Sequence, residues 1–212
     1  FFNEGNAGTI NIEASNSKNG LADFSNSIIK LTGGSELQTI SGVVDEHGEF
    51  TDAVSATGRA GTIRLEAGAL KIDGALISTK TNSTAENNAA QIFLTAKSEG
   101  VEDMFNLSEG DTSNEVVRGI DANNLEINSL TEGASDAGNV SLLSEKSSIV
   151  ITGDSNIIAS TTAAGNAGSI ILSALREDGS ETVSGITLTG TDASALVTIA
   201  SQSEGAGQAG TV

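Results

Sequence analysis

The stretch Gly5-Asn6-Ala7-Gly8-Thr9-Ile10 is the first copy of a phrase, G-x-A-G-[TS]-I, that recurs along the whole chain. The other copies are Gly58–Ile63, Asn87–Ile92, Ser135–Val140, Gly165–Ile170 and Gly207–Val212. Asn87–Ile92 and Ser135–Val140 match the phrase less well than the others. Two of the intervals between copies are close to thirty residues, and the others are longer. Such self-similarity is typical of stacked-repeat proteins, and it predicts a basic unit of about thirty residues with insertions.

Alternating apolar and polar residues follow the first five copies. The first runs are Ile10–Ala14, Ile63–Ala67, Ile92–Ala96, Val140–Leu142 and Ile170–Ala174. The second runs are Ile29–Gly33, Leu70–Gly74, Leu125–Ile127, Ile149–Gly153 and Ile186–Gly190. The less regular third runs are Leu37–Ile40, Leu76–Thr79, Ile157–Ser160 and Leu196–Ala200. Because successive side chains of a strand point to opposite faces, each run has one apolar face suited to the interior and one polar face suited to solvent.

One unit of this kind buries too little apolar surface to offset its conformational entropy, so its stability must come from stacking. Stacking predicts that Ile10, Ile63, Ile92, Val140 and Ile170 line one column in a dry interior. The glycines are expected at turns, where a positive φ or a close backbone approach favours them. The predicted fold class is all-β: a right-handed parallel β-helix, or β-solenoid, of about five coils with loop insertions. Residues 1–212 are expected to form this single domain.

The composition excludes several classes of function. A formal net charge of -18 disfavours binding to nucleic acid and to anionic membrane surfaces. No stretch reaches the roughly 18 apolar residues of a membrane-spanning helix, so no membrane span is expected. The chain has no cysteine, which excludes a disulfide framework and any cysteine-based metal or nucleophile site.

Two shorter signatures accompany the phrase: an x-[IL]-x-[IL]-[TD]-G strand, and the segments Ile77–Thr79 and Ile158–Thr161. Together these motifs resemble the repeats of filamentous-haemagglutinin-type exoproteins, large bacterial proteins of the two-partner secretion class. The resemblance extends over nearly the whole chain. It implies a right-handed parallel β-helix, export through the outer membrane, and adhesion or matrix building, without catalytic residues. The long insertions depart from a uniform repeat and leave a specialised fibre protein outside the family as an alternative.

The insertions are expected at Ser15–Ser27, Ser41–Thr57, Lys97–Asn124 and Leu175–Gly185. The third contains Glu102 and Asp103, whose carboxylate oxygens suit Ca²⁺. Glu13 and Glu66 occupy equivalent positions in adjacent coils, which predicts a separation of about 4.8 Å. Their repulsion costs energy unless a cation or Arg64 offsets it, and exposure to water makes it tolerable. Apart from Ca²⁺, no cofactor is expected. The alternative interpretation of these carboxylates is an acidic loop exposed to solvent.

No catalytic site is predicted. His47, the single histidine, lies in a polar insertion without an identified partner. Carbohydrate-active enzymes on β-helices need carboxylates or a base clustered over several coils. The outward positions along the stack are instead Asn11, Arg64, Phe93, Ser141 and Ile171.

Apolar side chains also occupy outward positions: Phe93, Ile171, Val150 and Leu143. Exposed apolar groups on one flank usually require a cover or a partner. The insertion that carries Met104, Phe105 and Leu107 is expected to fold over this flank, and the alternative is a lateral contact with another chain.

The chain begins just before one copy of the phrase and stops within another, so it is expected to be a segment of a longer chain or a subunit that stacks head to tail. Phe1 and Phe2 are candidates for the end-to-end contact. The function expected is a non-enzymatic structural fibre or adhesin shaft that self-associates at a bacterial cell surface. The alternatives are an adhesin module that binds a glycan or a host protein, and a carbohydrate-active enzyme.

Overall fold

In a computed structural model, the described residues are 7–18, 21–41, 58, 61–82, 89–103, 115–175, 185–192 and 194–212. These residues form strands, turns and loops, and none of them is helical. The strands build three parallel five-stranded sheets and two antiparallel hairpins. This arrangement confirms the prediction of an all-β chain with parallel strands in stacked sheets, and it is compatible with a β-solenoid.

Each parallel sheet takes one strand from every repeat. The first sheet contains β1 (Ile10–Glu13), β6 (Thr62–Ala67), β9 (Gln91–Ala96), β14 (Asn139–Ser144) and β17 (Ile170–Ala174). The second contains β4 (Ile28–Thr32), β7 (Ala69–Asp73), β12 (Ile120–Asn123), β15 (Ile149–Thr152) and β18 (Ile186–Thr189). The third contains β5 (Glu36–Ser41), β8 (Leu76–Thr81), β13 (Glu126–Thr131), β16 (Ser155–Thr161) and β19 (Val197–Ser203). We call one strand from each sheet, taken in chain order, a coil.

The hairpins lie where the chain passes from the first sheet to the second. One joins β2 (Asn16–Lys18) to β3 (Leu21–Asp23) in coil one, and the other joins β10 (Val101–Asp103) to β11 (Glu115–Val117) in coil three. They fall within two of the predicted insertions. The predicted insertion Ser41–Thr57 lies almost wholly outside the described residues.

The inward residues align as the repeat predicted. In the first sheet, Ile10 pairs with Ile63, Ile63 with Ile92, Ile92 with Val140 and Val140 with Ile170. The corresponding columns are Ile29, Leu70, Ile120, Ile149, Ile186 in the second sheet and Leu37, Ile77, Ile127, Ile157, Ile199 in the third. Ile63, Ile92 and Val140 have no exposed surface. The three columns therefore meet in one continuous aliphatic core.

The glycines serve two different purposes. In the repeated phrase they allow close stacking: a Cβ on Gly138 would lie 1.8 Å from the carbonyl oxygen of Ala90, and one on Gly168 would lie 2.0 Å from that of Gly138. After the second-sheet strands they provide left-handed backbone, with φ of 64° at Gly74 and 75° at Gly153. Both uses follow from the missing side chain.

One strand assignment was wrong. The sequence pattern placed Leu125–Ile127 in a second run, but Ile127 belongs to the third sheet, where it pairs with Ile77 and Ile157. The second-sheet strand of coil three is β12, in which Ala122 takes an inward place. Asn124 follows this strand with φ of 50° and replaces the expected glycine. Asparagine is the ordinary substitute for glycine in left-handed backbone. The predicted insertion therefore ends before Ile120 and not at Asn124.

Truncation of an inward residue should reveal how much the stack depends on its core. Leu65 is fully buried, so Leu65→Ala should lower the free energy of unfolding by about 2–5 kcal/mol through lost burial and a residual cavity. Leu196, which is 65% exposed, provides the matched control, and Leu196→Ala should change stability by less than about 0.5 kcal/mol. Urea unfolding followed by circular dichroism measures both values. Equal losses in the two variants would contradict the assigned interior.

Candidate functional site

Of the two stacked glutamates, Glu66 is paired with cationic side chains and Glu13 accepts a hydrogen bond. Glu13 and Glu66 are register partners, as predicted. The ammonium group of Lys97 forms an ion pair with Glu66, and Arg64 lies 3.9 Å from the other oxygen of the same carboxylate. The hydroxyl of Ser15 donates to Glu13 at 3.0 Å. The offset that the sequence assigned to a cation or Arg64 therefore comes mainly from Lys97.

The other metal candidates do not converge on a site. Glu102 is exposed on β10, opposite Val116, and Asp103 is the register partner of Glu115. Across the described part of the chain, no three Asp, Glu or His side chains lie together as metal ligands. Calcium binding remains a prediction, and His47 lies outside the described residues.

The hairpin of coil three packs over the corner between the first and second sheets. Its Val101 and Val117 form a small apolar cluster with Ala69 and Ile28. Glu115 extends from the hairpin to form an ion pair with Lys71 on the second sheet. The predicted cover residues Met104, Phe105 and Leu107 lie outside the described residues.

A half-buried carboxyl group lies on the second sheet, beside the Lys71–Glu115 pair. Burial raises the pKa of Asp121, Lys71 opposes this shift, and the negative charges of Glu115 and Asp73 add to it. Asp121 is the register partner of Lys71 on the outer face. A raised pKa means that the charged carboxylate opposes folding at neutral pH, so this group is a local weakness rather than a source of stability.

The predicted outward row is confirmed as Asn11, Arg64, Phe93, Ser141 and Ile171. The guanidinium of Arg64 lies over the ring of Phe93, 4.8 Å from its centroid, and so covers part of the ring. Ile171 is 56% exposed. Leu143 lies on the same sheet two residues beyond Ser141, whereas Val150 lies on the second sheet. The four predicted contact residues therefore do not form a single row.

An open groove of about 780 Å³ lies beside the first hairpin, at the corner between the first and second sheets. Its lining comprises residues 21–25, 97–100, 145 and 146, which come from three coils. Leu21 and Phe24 supply apolar surface, and the ammonium of Lys97 lies 4.5 Å from the Phe24 ring centroid. Glu99 and Glu145 add carboxylates. The groove thus combines an aromatic ring, aliphatic surface and charged groups of both signs.

The inner face of coil five is partly open. Ile186 and Leu188 are each 45% exposed, whereas their register partners Ile149 and Ile151 are completely buried. The last copy of the phrase lies over the turn of this coil: Ile170 donates its N–H to Thr211 at 2.9 Å. The sixth copy therefore stacks with the same spacing as the others. Phe1 and Phe2, the predicted end contacts, lie outside the described residues.

Comparisons of the chain with protein-family models, with curated proteins and with solved structures returned no match. Among the described residues no helix has the length and apolar character needed to cross a membrane.

Two polar features escaped the sequence analysis. Lys97 is the diagonal neighbour of Glu66, two residues beyond its register partner Thr95, and this spacing could have identified the pair. The inward third-sheet column of Thr39, Thr79, Ser129, Ala159 and Ser201 was also missed. Ser201 donates to the carbonyl of Gly168 and accepts from the N–H of Gly210. These small side chains leave room for the glycine turns.

Removal of the Lys97 charge should expose the glutamate repulsion. Lys97→Met keeps the aliphatic stem over Phe24 and should lower the free energy of unfolding by about 0.5–1 kcal/mol, because Glu66 loses its partner. Glu66→Gln in the same background should recover most of that loss, and 1 M NaCl should reduce it. Thermal unfolding at two salt concentrations measures these effects. A loss that Glu66→Gln leaves unchanged would mean that the Lys97 ammonium acts through its contact with the Phe24 ring and not through Glu66.

Proposed function

We propose that the chain is a right-handed parallel β-helix of five coils, related to the filamentous-haemagglutinin-type exoproteins. The register supports this proposal, since each parallel sheet takes one strand from each coil in order. Right-handed connection is the strong preference for parallel strands joined by a crossover. The family assignment rests on the repeated phrase and its companion signatures.

The function that fits this architecture is the shaft of a structural extracellular fibre or adhesin at a bacterial cell surface, without catalytic activity. The observation that carries the proposal is the set of inward columns, which run unbroken through all coils and reach the half-exposed face of coil five. A further coil of the same geometry, from this chain or another, would bury Ile186 and Leu188. Stacked-repeat proteins extend in this additive way.

A mechanical role follows from the direction of the hydrogen bonds. Parallel ladders join each coil to the next, so a pull along the stack loads many hydrogen bonds and the aliphatic columns together. The net charge of -18 favours solubility and keeps charged surfaces of neighbouring shafts apart. Export and surface location are part of the proposal through the family resemblance.

Electron microscopy of the purified chain tests the proposal. Filaments are expected, and Leu188→Asp should shorten or abolish them because a charge would enter the face on which a further coil stacks. Thr187→Asp is the matched control, since Thr187 is the neighbouring residue on the outer face of the same strand, and it should leave filament length unchanged. Monodisperse short rods from the unmodified chain would contradict self-association through the coil ends.

The groove beside the first hairpin favours a second candidate function, an adhesin module that binds a glycan or a protein. Sugars present apolar ring faces and many hydroxyls, which suit an aromatic ring flanked by carboxylates and ammonium groups. Phe24 and Leu21 provide the apolar part, and Glu99 and Glu145 provide acceptors. This arrangement lies at a turn, where it leaves the stacked strands undisturbed.

A glycan array tests this second candidate. A bound glycan should lose at least tenfold in affinity on Phe24→Ala, since stacking surface is removed, while Leu196→Ala should retain binding. Binding that survives Phe24→Ala would place the ligand elsewhere, and an array without bound glycans would leave the groove without this role.

A further inference from the structure

Ionisable side chains are distributed unevenly over the strands. Coils one and two carry them on all three sheets, and coil three carries them on the second and third: Glu13, Lys30, Glu36, Arg64, Glu66, Lys71, Asp73, Lys80, Asp121 and Glu126. The six strands of coils four and five, all of them described, carry none. Strand β9 of coil three is also uncharged. On the first sheet, the uncharged surface therefore covers the three consecutive strands β9, β14 and β17.

This surface also carries apolar side chains. Ile171 and Leu175 are 56% and 49% exposed, and Phe93 and Leu143 are partly buried on the same sheet. Leu143 is the register partner of Ser173, which makes it a diagonal neighbour of Ile171 at roughly 7–8 Å. Arg64, which lies against Phe93, marks the border with the charged coils. We call the outer face of β9, β14 and β17 the uncharged flank; Leu175 lies just beyond its edge, in line with the charged Glu145 and Lys97 of coils four and three.

The described part of the coil-three insertion does not cover the uncharged flank. Its hairpin packs against Ala69 and Ile28 at the corner toward the second sheet. Ile171 consequently remains the most exposed large apolar side chain on any of the first-sheet strands. A lateral partner is thus the interpretation that the described residues favour over an internal cover.

We infer that the uncharged flank is a side-by-side contact with a second copy of this chain. In a chain of net charge -18, two copies that meet through the outer faces of coils one and two bring charged groups together. Coils four and five lack charged residues on the strands of all three sheets, and among these outer faces it is the first sheet that exposes a large apolar side chain, Ile171. A two-fold contact through this flank places an uncharged surface against the same uncharged surface, as isologous pairing requires. A basic partner would instead be drawn to the acidic surface elsewhere.

The size of the flank predicts a weak contact that gains strength by repetition. Three strands about 4.8 Å apart and about 20 Å long cover roughly 300 Å². Stable pairs bury about 800 Å² on each partner, so one such contact gives only a transient dimer. In aligned filaments many contacts act together, and in that form the inference rests on the proposed shaft function. The individual contact needs no filament.

Cysteine crosslinking tests the contact in solution, independently of filaments, because the chain has no cysteine of its own. Ser141→Cys places a thiol at the centre of the flank, between Phe93 and Ile171. Asn11→Cys is the matched control in the same outward column at coil one. Under mild oxidation Ser141→Cys should form disulfide dimers at least tenfold faster than Asn11→Cys. Ile171→Asp added to Ser141→Cys should cancel this advantage.

The outcomes separate the inference from the proposed function. Equal dimer yields from the two cysteine variants, or a yield unaffected by Ile171→Asp, would overturn the lateral contact even if filaments form. Fast crosslinking of Ser141→Cys supports it even if electron microscopy finds no filaments. Circular dichroism of each variant establishes that the sheets are intact. If Ile171→Asp fails to fold, Ile171→Ser, which removes the exposed side chain without adding charge, serves in its place.

Discussion

The structure depends on the coil-to-coil register of its parallel ladders. Each inward residue is buried by its counterparts in the coils above and below, and because side chains alternate at every residue, a one-residue slip would turn the aliphatic column outward. Ile63, Leu70 and Ile77, one from each sheet of coil two, are all fully buried because coils on both sides cover them. Leu188, with a coil on one side only, stays half exposed. Burial here is a property of the stack and not of the single coil.

This register is kept at the corners by a small number of backbone requirements. The phrase glycines let successive turns approach within the space that a Cβ would fill, so that the turns stack at the same interval as the strands. Small hydroxyl residues such as Ser129 and Ser201 fill the adjoining inward positions and, in the case of Ser201, satisfy the turn backbone. Asn124 meets the remaining requirement, left-handed backbone, and its side chain also accepts the N–H of Asp154 at 3.0 Å. The turns therefore fix the spacing that the core needs.

The sequence predicted the strands that follow the repeat closely and failed on a strand that departs from it and on the hairpins. The first-sheet strands were found because a recurring phrase precedes an apolar run in each of the five coils. Strand β12 was missed because Ala122 weakens that alternation and Asn124 hides the glycine signal. The two hairpins have no counterpart among the described residues of the other coils, and their packing, as in the cluster of Val101 with Ala69, depends on contacts distant in the sequence. Lys97 was overlooked for a related reason: its partner lies diagonally, and only the register makes the two neighbours.

The inward and outward positions obey different constraints, and this difference directs attention to the outer surface. Inward positions must stay aliphatic or small in every coil, so they can carry little information beyond the fold. Outward positions are free to vary, yet charged residues occur on every strand of coils one and two and on two strands of coil three, and on none of the strands of coils four and five. Stacking does not require such a division, because the core beneath both blocks is the same. A solvated shaft would be served as well by charges along its whole length, and charges on strand faces are a common means of preventing association. The lateral contact that we infer for the first sheet accounts for their absence from the outer face of β9, β14 and β17.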